Sequence, residues 1–171
     1  MSRVIPLATA VALLVAVPST AGPDKVSFPS DYRSHVRYWT VDRAINDTVR
    51  MFYASPDAAR MARPAQPLPS GTVITMEVYK AKLDDQRQPL KDAKGRFIKS
   101  GLVSIMVMEK RAGWGAEYPD DIRNGEWEYA QFEPDGTPSQ PADTSPCFQC
   151  HKRMRKQDFV FSLPQLRAAP K

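Results

Sequence analysis

One short run near the C-terminus constrains this chain more than any other feature: Cys147-Phe148-Gln149-Cys150-His151. The pattern C-x-x-C-H is the attachment sequence of a c-type haem. Both thiols bond to the vinyl groups on one edge of the porphyrin, and the adjacent histidine reaches the iron from below the ring. On a helix these positions share one face, and Pro146 is typical of a helix start. The run therefore predicts a C-terminal haem-attachment helix that holds one covalent haem c through Cys147 and Cys150, with His151 on the iron.

Three other interpretations of this motif are weaker. A zinc site needs four ligands, but the chain has only two cysteines, and its other histidine, His35, is distant in sequence. A thioredoxin-like redox pair follows a strand in a β-α-β unit, and no such pattern precedes Cys147. A disulfide between Cys147 and Cys150 would close only a very short loop.

The N-terminal residues have the pattern of a secretory signal. Arg3 provides a positive charge, Val4–Val17 is an apolar run, and Ser19–Ala21 supplies the small residues of a cleavage site. The run is shorter than the approximately 20 residues of a transmembrane helix. We therefore expect a signal peptide over residues 1–21, a single domain over residues 22–171, a periplasmic location, and no membrane insertion after cleavage.

Charge and composition limit the classes of binding partner that we expect. The net charge is +5, but no basic stripe is interleaved with exposed aromatic residues, so nucleic-acid binding is not expected. With two cysteines, a disulfide-dense scaffold is excluded. Four bases follow the haem motif and favour an anionic redox partner through electrostatic steering. They are Lys152, Arg153, Arg155 and Lys156.

Alternation and turn residues predict the elements that precede the motif. We expect a short helix within Asp31–Trp39 and a second helix capped by Ser55 from Pro56 to about Arg63. Lys82–Ser100 is expected to be a loop or hairpin tip, and no internal repeat is apparent. Strands are predicted at Val49–Tyr53, at Thr72–Ala81, at Leu102–Glu109 as the central strand, and at Glu126–Phe132.

Several segments, in this order and spacing, resemble the cytochrome P460 family, which includes the β-sheet cytochromes c′. The resemblance spans nearly all of residues 22–171. Its segments are Pro29–Arg33, Phe52–Pro56, Ser70–Val73 with Glu77–Tyr79, Gly125–Trp127, Cys147–His151 and Asp158–Phe161.

This resemblance implies an α+β fold with a twisted antiparallel sheet and a few helices, usually as a homodimer. It also implies a five-coordinate haem with His151 as the proximal ligand and an open distal side. Family members oxidise hydroxylamine or bind nitric oxide. The expected ligand is therefore nitric oxide or a similar small nitrogen oxide, and an enzymatic role as a hydroxylamine or nitric oxide oxidoreductase stays open.

Two positions depart from the hydroxylamine-oxidising members. Met76 stands where those enzymes have a lysine cross-linked to the porphyrin, and Ser104 lies near the position of their distal carboxylate. Lys80 lies on the same predicted strand face as Met76 and is the alternative cross-linking residue. The departures favour the branch without a cross-link, whose distal pockets are apolar.

A methionine offers a third function. If the Met76 thioether bound the iron, the haem would be six-coordinate with a raised potential, as in electron-transfer cytochromes. A methionine on an apolar strand face is also ordinary core packing. Met106 and Met108 on the next strand are weaker candidates, and His35 is expected to be packed or at the surface. The haem-attachment motif is therefore compatible with gas binding, with oxidoreductase chemistry and with electron transfer. The residues that face the distal side of the iron, around Met76 and Ser104, decide between these functions.

Overall fold

The computed structural model describes residues 25–140 and 143–170, so the signal peptide predicted for residues 1–21 lies outside the described residues. The main element is a five-stranded antiparallel sheet whose strands lie side by side in chain order. The strands are β1 (Val36–Arg43), β2 (Thr48–Ala54), β3 (Thr72–Ala81), β4 (Lys99–Lys110) and β5 (Trp127–Phe132).

The helices in the described residues are short. They are α1 (Pro56–Met61), α2 (Ser145–Lys152) and α3 (Leu163–Ala168), with 3-10 turns at Tyr32–Ser34 and Arg155–Gln157. Each α-helix has a proline at its first or second position, where the missing N–H costs no hydrogen bond. The protein is therefore mainly β with a few helices, and the predicted sheet and the helix start at Pro56 are confirmed. The predicted capping bond of Ser55 is wrong, since its hydroxyl accepts the backbone N–H of Val73 at 3.3 Å and makes no capping bond to α1.

The prediction of a helix within Asp31–Trp39 is wrong. Only a 3-10 turn forms there, and β1 then begins at Val36 and pairs with β2. The β-branched and aromatic residues of this segment favour a strand once a partner strand is available. Leu102–Glu109 is a strand as predicted, but it is not central, because β3 occupies the middle of the sheet.

One face of the sheet carries the three helices. Across the sheet, Ala54, Ile74, Met108 and Tyr129 are register partners and form a buried row on this face. Alanines of α1, Phe148 of α2 and leucines of α3 pack on that row in a single hydrophobic cluster. Burial of this row fixes where α2, and with it the C-x-x-C-H motif, lies on the sheet.

The opposite face is covered by the segment before β1 and contains a buried carboxylate. Glu77 is 1% exposed and accepts hydrogen bonds from the hydroxyls of Tyr32 (2.6 Å) and Tyr53 (2.9 Å) and from Arg33 (3.0 Å). Burial alone would raise the pKa of Glu77, but these donors and the arginine charge bring it below its usual value. Glu77 is therefore an ionised anchor between the N-terminal segment and the sheet.

The connection from β3 to β4 contains a local repeat that the sequence analysis missed. Asp84 accepts N–H bonds from residues 86 (3.0 Å) and 88 (2.8 Å), and Asp92 accepts them from residues 94 (2.8 Å) and 96 (3.0 Å). The left-handed position of each turn is Arg87 (φ 61°) or Gly95 (φ 76°). The two turns share only the aspartate, so residue identity gave almost no signal of the repeat.

No helix in the described ranges has the length and apolar character of a membrane span.

Candidate functional site

Helix α2 presents the C-x-x-C-H motif at the edge of the helix-covered face. Cys147 is partly buried against the core, Cys150 is exposed, and the two are not joined by a disulfide. Between them, Phe148 is 1% exposed, with its ring centroid 4.8 Å from that of Tyr129. Its backbone carbonyl accepts a 2.9 Å bond from the buried side chain of Asn124. Phe148 thus anchors the helix to the sheet, while Gln149 and Cys150 are exposed.

The imidazole of His151 is held in one orientation. Its Nδ1 lies 2.6 Å from the carbonyl oxygen of Phe159, and an oxygen acceptor there fixes the proton on Nδ1. Burial lowers the pKa of His151, although the bond to Phe159 acts in the opposite direction. Since the neutral ring carries its proton on Nδ1, Nε2 keeps a lone pair. A carbonyl on the second nitrogen is the usual support of a metal-binding histidine.

Two aromatic rings flank this imidazole. The Tyr129 ring lies 4.8 Å away between centroids, and the Phe161 ring lies 5.1 Å away in an edge-to-face arrangement. Phe161 is 45% exposed, and the imidazole beside it is half-buried, so this side of the ring lies close to the protein surface. The surroundings of His151 are therefore an apolar wall that is open on one side.

The turn that supplies the Phe159 carbonyl is itself anchored. Asp158 and Phe159 both have left-handed backbone angles, with φ of 51° and 61°. Both carboxylate oxygens of Asp158 lie 3.0 Å from Lys110 Nζ, and one of them also accepts a 2.7 Å bond from the backbone N–H of Leu68. This buried pair holds an otherwise unfavourable turn against β4, and so positions the histidine.

A second row of side chains lies on the same face, next to the buried row. Trp39, Phe52, Met76 and Met106 are register partners in β1 to β4, and all four are half-buried. We call this set the apolar row. Because side chains two residues apart share a sheet face, it continues the surface that begins at Tyr129. The row offers a flat, partly open apolar surface beside α2.

The structure distinguishes the candidate residues on the sheet. Met76 lies in the apolar row directly opposite Met106, which is therefore equally well placed, whereas Met108 is buried in the core. Ser104 lies two residues before Met106 in β4, pairs with Val78, and is buried. Lys80 lies on the same face of β3 and is exposed.

His35, the last candidate residue, lies just before β1. Its Nε2 is 3.6 Å from the Asp31 carboxylate.

Arg50 on β2 lies on this face too, and the sequence analysis did not consider it. It pairs with Val78, and its Nε is buried with no hydrogen-bond partner among the described residues. Burial lowers the pKa of Arg50, and the nearby charge of Arg43 lowers it further, whereas Cys150 acts in the opposite direction. The guanidinium thus lies near Cys150 of α2 and has no ion-pair partner among the residues that the structure describes.

These features together fit a haem. The oriented imidazole suits the iron, the exposed thiol of Cys150 and the adjacent Cys147 suit the vinyl edge, and the apolar row suits a porphyrin face. A haem also carries two propionates, and the unpartnered Nε of Arg50 is the kind of buried donor that an acidic group satisfies. The residues present therefore match both the apolar and the acidic parts of the cofactor.

A C-x-x-C-H helix against an antiparallel sheet defines a sheet-based haem protein rather than a helical cytochrome. The family model described as Cytochrome P460 matches residues 29–162, most of the chain. The chain belongs to the cytochrome P460 family, and this membership implies a haem cofactor and a haem c cytochrome. The comparison with curated proteins gave no match.

Proposed function

We propose that this protein is an exported cytochrome with one covalent haem c and an open distal iron position that binds nitric oxide or a similar small nitrogen oxide. The supporting observation is the 2.6 Å contact between His151 Nδ1 and the Phe159 carbonyl, which leaves Nε2 as the ligand atom. Cys147 and Cys150 would form the thioether bonds. When bound, the haem would supply an iron centre that can coordinate a small ligand.

The residues of the sheet would shape the space for the cofactor and its ligand. Phe52, Met76 and Met106 would form an apolar wall that excludes water and offers little hydrogen bonding to a polar adduct. Arg50 would neutralise a haem propionate. An apolar wall favours a small neutral ligand, since nitric oxide needs no hydrogen bond or proton donor to bind an iron. The absence of acid or amine side chains at Met76 and Ser104 leaves no general acid–base pair at these two positions.

Electron transfer is the second candidate function. Met76 is half-buried and shares the sheet face of the haem-binding surface, so its thioether is available as a sixth ligand. In that case the iron would be coordinatively full, and the protein would carry electrons rather than bind a gas.

A hydroxylamine or nitric oxide oxidoreductase is a further outcome. It would require a porphyrin cross-link, for which Lys80 is the available lysine on this face of β3.

The basic residues after α2 support an anionic redox partner. Arg153, Arg155 and Lys156 follow α2 with exposed side chains and suit an anionic redox partner, while Lys152 donates to the Arg123 carbonyl at 2.8 Å. Since exposed charges act mainly by steering, the association rate should fall with ionic strength. We further propose a periplasmic location and a homodimer, which follow from the N-terminal pattern and the family.

The haem attachment is tested on the purified protein. A pyridine haemochrome of the two-thioether type is expected, and the Cys147→Ser/Cys150→Ser double variant should lose its haem to acid acetone. Ser145→Ala, in the same helix, serves as the matched control and should keep it. Acid-extractable haem in the unmodified protein would contradict the attachment. Nitric oxide titration of the ferrous protein should then give a saturable spectral change, and an unchanged spectrum would contradict gas binding.

A further inference from the structure

A pocket that Asp158 lines, together with residues of three other segments, is not explained by haem binding. Its volume is about 270 Å³, and none of its lining residues belongs to α2 or to the apolar row. It lies between the turn that follows α1, the 3-10 turn at Arg155–Gln157, and α3. The lining residues are Ala65, Gln66, Pro67, Arg155, Lys156, Asp158 and Arg167.

The charge of this pocket is strongly positive. It has three cationic side chains and one carboxylate, Asp158. That carboxylate is already neutralised, because both of its oxygens lie 3.0 Å from Lys110 Nζ. Among the ion pairs of the described residues, none involves Arg155, Lys156 or Arg167. The three positive charges therefore face the same space without a counter-ion from this part of the chain.

Arg167 adds an unmet hydrogen-bond donor. One of its terminal nitrogens donates to the Gln66 carbonyl at 3.2 Å, which holds the guanidinium at the pocket wall. Its Nε is buried and has no partner among the described residues. A buried donor without an acceptor is destabilising, so an acceptor supplied by a bound ion would relieve this cost.

We propose that this pocket binds a small inorganic oxyanion of the size and charge of phosphate. Guanidinium groups bind oxyanions with paired, charge-assisted hydrogen bonds, and a lysine beside them adds a compact positive charge. A volume of about 270 Å³ suits a small ion with a few waters better than a peptide segment. The site is adjacent to the proximal turn, since Asp158 lines it and Phe159 contacts His151.

Calorimetric titration of inorganic phosphate into the haem-loaded protein, at constant ionic strength set with chloride, tests this site. Saturable binding of one phosphate per chain is expected. Arg167→Gln should weaken it by about tenfold or more, which is the effect of losing one charged hydrogen bond. Lys94→Gln is the matched control, because it removes one exposed positive charge in the β3–β4 connection and should leave the affinity unchanged.

Absence of saturable heat, or equal affinity of the wild-type protein and Arg167→Gln, would overturn the proposal. Binding of a short glutamate peptide with no binding of phosphate would also overturn it and indicate a protein-docking surface. If Arg167→Gln does not fold, the exposed pair Arg155→Gln/Lys156→Gln takes its place and should likewise weaken binding. The titration does not depend on iron ligation, so its failure is distinguishable from failure of the proposed gas binding.

Discussion

Loss of the Asp158 carboxylate should destabilise the protein far more than loss of an ordinary surface acid. The side chains of Lys110 and Asp158 are only 9% and 12% exposed, and the carboxylate also accepts the Leu68 N–H at 2.7 Å. Asp158→Ala therefore leaves a buried ammonium and a backbone donor unpaired. Breaking one partner of a buried ion pair costs about 3–5 kcal/mol, which corresponds to roughly 6–20 °C in Tm for a domain of this size.

Urea denaturation of the haem-loaded protein measures this cost, with Asp57→Ala as the matched control. Asp57 pairs with Arg60 in α1, but both side chains are exposed, so its loss should cost less than about 1 kcal/mol. The double variant Lys110→Met/Asp158→Ala should recover part of the stability, because it no longer buries an unpaired charge. If Asp158→Ala costs no more than Asp57→Ala, the reasoning about the proximal turn is wrong.

Two further predictions concern the packing on either side of the sheet. The native pKa of Glu77 is below its usual value of 4.5, so the ionised carboxylate contributes stability above that pH, and the contribution is lost as the pH falls through the native pKa. Glu77→Gln should therefore lower Tm at neutral pH and flatten its decline as the pH falls below about 4.5; an acid profile parallel to that of the wild type would count against this. Phe148→Ala, which empties a site only 1% exposed, should cost about 3–5 kcal/mol in urea denaturation. The exposed neighbour Gln149→Ala should cost less than about 0.5 kcal/mol, and similar costs for the two variants would show that Phe148 does not anchor α2.

Much of the sheet was predictable because its strands alternate apolar and polar residues and are bounded by turn residues. Thr72–Ala81 alternates apolar and polar residues between a Ser-Gly turn and a polar loop, and the strand has the predicted bounds. Residues 36–39 were assigned to a helix instead of a strand because their mixed aromatic and basic composition has no clear period. Their pairing with β2, across a turn with a left-handed Asp47, decides the structure.

The haem-attachment motif was also visible in the sequence, but the contacts that orient His151 were not. The acceptor of the His151 bond is a backbone carbonyl, which no side-chain pattern can reveal. The turn that supplies it has left-handed angles at Asp158 and Phe159, neither of which is glycine, so the usual signal of such a turn is missing. Lys110 is 48 residues from Asp158, and only the folded sheet brings them together.

Arg50 shows a further limit of sequence reasoning. A single arginine in an alternating strand is ordinarily a solvent-exposed residue. Its importance comes from the register of β2 with β3, which places it beyond the apolar row with a buried Nε. Register across strands depends on tertiary packing and cannot be derived from one segment alone.

The state of the sixth iron position tests the central proposal most directly. Electron paramagnetic resonance of the ferric haem-loaded protein should give a high-spin signal, as expected for His151 opposite a vacant or water-occupied position. Met76→Ala, and Met106→Ala as its neighbour in the apolar row, should leave that signal unchanged. A low-spin signal with a methionine-to-iron charge-transfer band, converted to high spin by Met76→Ala but not by Met106→Ala, would contradict the proposal and establish an electron-transfer cytochrome.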